Sequence, residues 1–226
     1  MKTRSWAVRS WLRDADNSGV ASESGGGSGV RSFSKFPMMG SVEVTIEKLA
    51  IPDVILIDPV VYGDARGFFL ETWSAVQFEA LGVEAGFVQD NWSRSSRGVL
   101  RGLHYQLEHP QGKLVRCTRG SIFDVAVDLR RSSPTFGSWV GAVLSEENKH
   151  SLWIPPYFAH GFLSLDDVVD VHYKCSDIYH PLGERTIQWD DPDIGIDWPV
   201  ERGVDIRLSD KDQNGSRPIS DSECFD

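Results

Sequence analysis

The sequence predicts an all-β fold, a jelly roll or double-stranded β-helix with a few short helices. Three observations carry this. From residue 42 onward, short runs rich in β-branched and aromatic residues follow one another, with turn residues between them at close intervals. In "FDVAVDLR", Phe123, Val125, Val127 and Leu129 alternate with Asp124, Ala126, Asp128 and Arg130, the period-two pattern of a strand with two different faces. Helical patterning is confined to "SAVQFEALG" (74–82), where Ser74 is placed to act as the N-cap.

Taken in order, the strands are "VILID" (54–58), "GFFLETW" (67–73), "FVQDNWS" (87–93) and "VLRGLHYQ" (99–106). Next come "KLVRCTRG" (113–120), "SIFDVAVDLR" (121–130) and "SWVGAVLS" (138–145). The last are "SLWIP" (151–155), "GFLSL" (161–165) and "VVDVHYKCS" (168–176). Many short strands with little helix pack as a sandwich or small barrel, and a jelly roll of the cupin kind fits. Such a barrel holds one ligand in its mouth.

A chain of 226 residues suits one sizeable domain, and 40% hydrophobic content gives it a core without disulfides. A net charge of −10 argues against nucleic acid as a partner. It leaves room for a local basic pocket that takes an anionic ligand. Cys117, Cys175 and Cys224 are odd in number and irregular in spacing, which reads as reduced thiols in a cytoplasmic protein. No apolar run approaches the roughly 20 residues of a membrane span.

Residues 1–40 differ in kind. They hold six basic and three acidic residues, a net of +3, which leaves −13 for the remainder. They include the linker-like "SESGGGSG". The expectation is a disordered extension, with Met38 or Met39 as an alternative start, followed by one domain over 41–226.

Polar residues recur within the strand text: Arg66, Glu71, Gln89, Asn91, Arg101, His104, Lys113, Asp124, His160 and Tyr173. One alone is most simply a hydrogen-bonded structural residue or a surface charge. So many together would make a poor core unless the interior is a wet pocket. A metal-binding cupin offers histidines at i and i+2, but Gln106 follows His104 at that spacing. Glu108 and His160 leave the set one imidazole short, and His109 is offset, so no metal is expected. No serine sits in a strand-to-helix elbow. Proton transfer remains: histidine suits a general base near neutrality, tyrosine an acid, and arginine or lysine can stabilise an oxyanion or bind phosphate. Arg101 and His104 are three residues apart, so an ideal strand would point them to opposite faces. A bulge at Gly102 would bring both into one pocket; reaching around the strand edge is the alternative.

Long blocks of the chain resemble the dTDP-4-dehydrorhamnose 3,5-epimerases. These blocks are "DARGFFLETW", "FVQDNWSRSSRGVLRGLHYQ", "QGKLVRCTRGSIFDVAVDLRRSSPTFGSW", "LWIPPYFAHGF" and "YKCSDIYHPLGERTIQWDDPDIGIDWP". The likeness spans roughly residues 50–215. It implies a cofactor-free, homodimeric cupin-like enzyme that inverts carbons 3 and 5 of a nucleotide-linked 4-keto sugar. By resemblance His104 is the general base, Asp212 the carboxylate that orients it, Tyr173 the acid on the opposite face and Lys113 the enolate-stabilising cation, with Asp124 holding Lys113. The resemblance further implies substrate contacts at Gln89, Asp90, Asn91, Arg101, His160, Glu184 and Lys211. Tyr179 matches the tyrosine that stacks on thymine. Arg66 and Glu71 match nucleotide contacts that can come from a partner subunit. Glu184 and Lys211 lie in loop-like text that suits a surface charge equally well. A mono-epimerase, or a cupin that only binds a nucleotide sugar, are the rival readings.

Overall fold

The computed structural model describes residues 44–83 and 86–226. Two antiparallel sheets face each other across a common interior. The first has six strands: β1 (Thr45–Lys48), β2 (Ile55–Asp58), β5 (Gln89–Ser95), β7 (Lys113–Arg119), β10 (Ser151–Ile154) and β12 (Val169–Cys175), in the order β1-β2-β10-β7-β12-β5. The second has five: β6 (Leu100–Gln106), β8 (Ser121–Asp128), β9 (Trp139–Ser145), β11 (Phe158–Ser164) and β13 (Glu184–Thr186), in the order β13-β6-β11-β8-β9. From β5 onward consecutive strands cross between the sheets, except β8 and β9, which pair with each other, and this is the cupin-like jelly-roll arrangement that the strand-rich sequence predicts.

Three apolar clusters hold these layers. Val115, Leu152 and Val171 of the six-stranded sheet meet Ile122, Val140 and Phe162 of the five-stranded sheet in the interior. The outer face of the five-stranded sheet, with Phe123, Val125 and Val127, is covered by the C-terminal segment through Ile194, Ile219 and Phe225. The outer face of the six-stranded sheet packs Ile55, Leu114 and Trp153 against Phe78 of helix α1 (Ala75–Ala80). β8 therefore has two different faces, as its alternation predicts, but every residue of it is buried. The polar set, Asp124 and Asp128, is buried as well.

Three local readings differ from the expectation. The run 67–73 is not one strand: β3 (Tyr62–Asp64) and β4 (Gly67–Phe69) form a separate exposed hairpin, and Gly67 at φ +126° turns the chain there. Ser74 occupies the N-cap of α1, but its side chain makes no cap hydrogen bond. A second helix, α2 (Asp210–Asn214), lies in text read as loop, and a single 3₁₀ turn follows at Ile219–Asp221. Residues 1–40 lie outside the described residues. No helix among the described residues is long and apolar enough to cross a membrane.

Candidate active site

A cavity of about 580 Å³ is lined by side chains from both sheets and from α2. Its geometry begins at Gly102. Along β11, His160 pairs with His104 and Phe162 with Arg101, so the single residue between them on β11, Gly161, faces two of β6, Gly102 and Leu103. That extra residue is a bulge, and it turns Arg101 and His104 to the same cavity despite their odd spacing. Gly102 sits at φ +121°. A Cβ built there would lie 2.5 Å from Gly161 Cα and 2.6 Å from the His160 carbonyl oxygen. Glycine is required by conformation and by space together.

His104 Nε2 lies 2.5 Å from Asp212 Oδ1. The partner carboxylate is supplied by α2, whose start is built from the sequence "SDKD". Ser209 is the N-cap: its Oγ accepts from the Asp212 backbone N–H at 3.2 Å and donates to Asp212 Oδ2 at 2.9 Å. Burial would raise the Asp212 carboxyl. The hydrogen bond and charge of His104, with help from Ser209 and Lys211, hold it below the ordinary range instead. It is therefore an anion fixed beside an imidazole that is itself part-exposed to the cavity.

The opposite wall comes from the six-stranded sheet. Tyr173 on β12 lies against Val115 and Asn91 of its neighbouring strands. Burial pushes its phenol up, so it keeps its proton. Lys113, at the start of β7, is buried, which pulls its ammonium pKa down against the opposing pull of Cys175, Asp124 and Glu184. His160 Nε2 bonds Asp124 Oδ1 at 2.7 Å, and both residues are buried. Asp124 thus pairs through its Oδ1 with His160, with no hydrogen bond to Lys113 as the resemblance implied, and its Oδ2 has no hydrogen-bond partner among the described residues.

The rim is a hydrogen-bonded chain. Gln89 Nε2 donates to Asn91 Oδ1 at 3.0 Å, and Gln89 Oε1 accepts from the Tyr179 backbone N–H at 2.9 Å. Tyr179 donates its hydroxyl to Glu184 Oε2 at 2.9 Å, and Lys211 donates to Glu184 Oε1 at 2.6 Å. Burial works against ionisation of Glu184, but these two bonds keep its pKa low. Glu184 and Lys211 are accordingly cavity residues paired with each other and not isolated surface charges.

Three sequence-expected substrate contacts do not line this cavity, and neither does Asp124. β5 alternates, so Gln89 and Asn91 turn inward while Asp90 turns to the outer face and bonds Lys174 Nζ at 2.9 Å. Arg66 is exposed on the β3–β4 hairpin and ion-pairs with Asp64 at 2.5 Å. Glu71 follows that hairpin and faces a smaller, separate hollow of about 170 Å³ on the outer side. Conversely, Ser93, Gln111, Arg207 and Ser209 line the cavity and were not singled out from the sequence. Gln106, which stands where a metal cupin would carry histidine, is buried, and its amide bonds backbone of His109, Ile178 and His180. No group of three or more histidine, cysteine or carboxylate side chains among the described residues is arranged to hold a metal ion.

The family model described as dTDP-4-dehydrorhamnose 3,5-epimerase matches residues 48–218. The chain belongs to the dTDP-4-dehydrorhamnose 3,5-epimerase family. It is 56% identical to the enzyme of that name from Methanothermobacter thermautotrophicus over 79% of this chain and 96% of the relative. The enzyme of the same name from Pseudomonas aeruginosa is also 56% identical, over 79% of this chain and 97% of the relative. A solved dTDP-6-deoxy-D-glucose-3,5-epimerase from Legionella pneumophila, in complex with dTDP-4-keto-L-rhamnose, superposes with a TM-score of 0.77 at 48% identity, covering 80% of this chain and 95% of that one. The solved Legionella epimerase and this chain share one fold.

Proposed function

We propose that the chain epimerises carbons 3 and 5 of dTDP-4-dehydro-6-deoxy-D-glucose, giving dTDP-4-dehydro-L-rhamnose. The observation that carries this reading is the cavity in which His104 of one sheet, paired with the α2 carboxylate Asp212, stands on one wall and the Tyr173 phenol of the other sheet stands on the opposite wall. Both target carbons flank the carbonyl at carbon 4, so loss of either proton gives an enolate that the existing carbonyl stabilises. His104 removes the proton, and the Asp212 anion at its Nε2 fixes the orientation of the imidazole. Lys113, close to the cavity wall, stabilises the enolate oxygen. Tyr173 returns a proton from the other face. Gln89, Asn91, Arg101, His160, Tyr179, Glu184 and Lys211 hold the nucleotide sugar.

The reading extends to a cytoplasmic homodimer in which residues 41–226 form one domain. It is supported by the β3–β4 hairpin, which exposes Tyr62, Phe68 and Phe69 and carries Arg66 away from its own cavity. There Arg66 and Glu71 serve the partner's nucleotide.

The test is proton NMR in deuterated water with the 4-keto sugar nucleotide and a coupled reductase. Deuterium at both carbons with a rhamnose product is expected. His104→Ala should lose exchange at both carbons, and Tyr173→Phe should lose turnover more than exchange. Deuterium at one carbon alone would make the enzyme a mono-epimerase, and unchanged exchange in His104→Ala would remove the histidine from the base role.

A further inference from the structure

Two guanidiniums on the cavity lining have no carboxylate partner. Arg66, Arg94, Arg97, Arg130 and Arg185 each pair with an acidic side chain within 4.0 Å. Arg101 and Arg207, both on the cavity lining, do not, among the described residues. Each is tethered by a neutral oxygen. Arg101 Nε donates to Ser95 Oγ at 3.1 Å, and Arg207 Nη1 donates to Ser96 Oγ at 3.2 Å. Consecutive serines, Ser95 at the end of β5 and Ser96 just after it, thus each hold one arginine of the cavity lining. The backbone of Arg207 is fixed from both sides: its N–H donates to the Gly98 carbonyl at 2.8 Å, and its carbonyl accepts from Leu100 N–H at 3.0 Å. A parallel bridge pairs it with Val99.

Arg116, Arg119, Arg131, Arg202 and Arg217 likewise have no carboxylate partner within 4.0 Å among the described residues, so what sets Arg101 and Arg207 apart is their place on the cavity lining. A guanidinium presents five donors in a fixed fork; Arg207 uses one on a serine hydroxyl and Arg101 uses two, on Ser95 Oγ and on the Arg94 carbonyl, which leaves at least three donors free on each. Arginine forks match phosphate oxygens bidentately. The anionic portion of a nucleotide sugar is its diphosphate.

We propose that Arg207 is a substrate-anchoring residue that grips, together with Arg101, the diphosphate of the nucleotide sugar. The proposal rests on the epimerase reading above. Its bonds are to the unreacting part of the substrate, so its contribution falls on binding and not on the proton-transfer steps. Ser96 acts through it by holding the guanidinium in reach.

The experiment combines calorimetric binding of dTDP and of thymidine with steady-state kinetics on the 4-keto sugar nucleotide. Arg207→Gln should weaken dTDP binding and raise KM by about tenfold or more, as loss of a charge-assisted bond to an anion does. It should leave kcat within roughly twofold and thymidine binding unchanged. Ser96→Ala, which keeps the charge and frees the side chain, should show the same effect in smaller measure. Unchanged dTDP affinity and KM in Arg207→Gln would overturn the proposal. So would a fall in kcat alone, which would place Arg207 in support of the Ser209–Asp212 turn. If the wild-type chain binds dTDP but does not turn over the 4-keto sugar, the epimerase reading fails. The diphosphate clamp is then still decided by the dTDP affinities.

Discussion

Burial drives Lys113 and Tyr173 toward their neutral forms, the lysine pKa down and the tyrosine pKa up. For the tyrosine this is favourable, since an acid must hold its proton until the enolate needs it. For the lysine it sets a limit, because only the ammonium stabilises an oxyanion. The activity should therefore fall on the alkaline side at a pH below the ordinary lysine value of about 10.4. Lys113→Arg, whose guanidinium stays charged, should move that limb upward even if kcat drops. A pH–kcat profile with the same alkaline limb in both proteins would assign the limb to another group. At this scale the sequence was uneven. His104, Lys113 and Tyr173 stood out because charged or polar groups interrupt strand text, and all three line the cavity. Asp90 was misplaced because a motif names neighbours without saying which face each takes. Arg207 was missed because a lone arginine before a helix looks like any surface charge.

Elements decide whether those side chains converge. The β6 bulge is the clearest case: parity alone would separate Arg101 from His104, and only Gly102 in strand text signals the extra residue. Gly102→Ala should lower stability by at least about 2 kcal/mol, since it combines a disfavoured φ with contacts to Gly161 and the His160 carbonyl. It should also cost activity out of proportion, because the displaced backbone carries His104 and faces His160. Gly67→Ala is the control: it has a similar φ of +126° but nothing within 4 Å. Calorimetric melting of both variants separates strain from crowding, and a Gly102→Ala protein that melts with the wild type would refute the argument. Helix α2 was legible in principle, because Ser209 followed three residues later by Asp212 has the form of a capping box with aspartate in place of glutamate. Its short length, five residues, gave no periodicity to read. The β3–β4 hairpin differs from the single strand expected over 67–73 for a related reason: that run has strand composition throughout, but only Gly67–Phe69 pairs, and its partner Tyr62–Asp64 lies before the expected strand.

Across the whole molecule, the alternation in β8 foretold the layering, and the fold class followed from strand density. How the layers are fastened together could not be read, because the fastenings join residues far apart in the chain. Asp128 is the centre of one. Its Oδ1 accepts from the Arg130 backbone N–H and Nε, and its Oδ2 from Arg130 Nη2, Ser133 and Thr135. Arg130 also reaches Asp53, in the turn before β2 of the other sheet, at 2.8 Å, and its backbone bridges to Phe225 near the C-terminus. Burial opposes ionisation of Asp128, but the bonds from Arg130, Thr135 and Ser133 outweigh it and hold the pKa at about 2. A folded-state value below the ordinary one of 3.8 means that the stabilisation is complete above about pH 4 and is lost as pH falls toward 2. The wild type should therefore lose about 2 kcal/mol from this group over that window. Asp128→Asn, which cannot ionise, should be less stable at pH 7 and should show a shallower decline between pH 4 and 2. Denaturant unfolding at several pH values measures both quantities. Parallel curves for the two proteins through the acid window would mean that Asp128 is not the group whose protonation loosens the two sheets and the C-terminal segment.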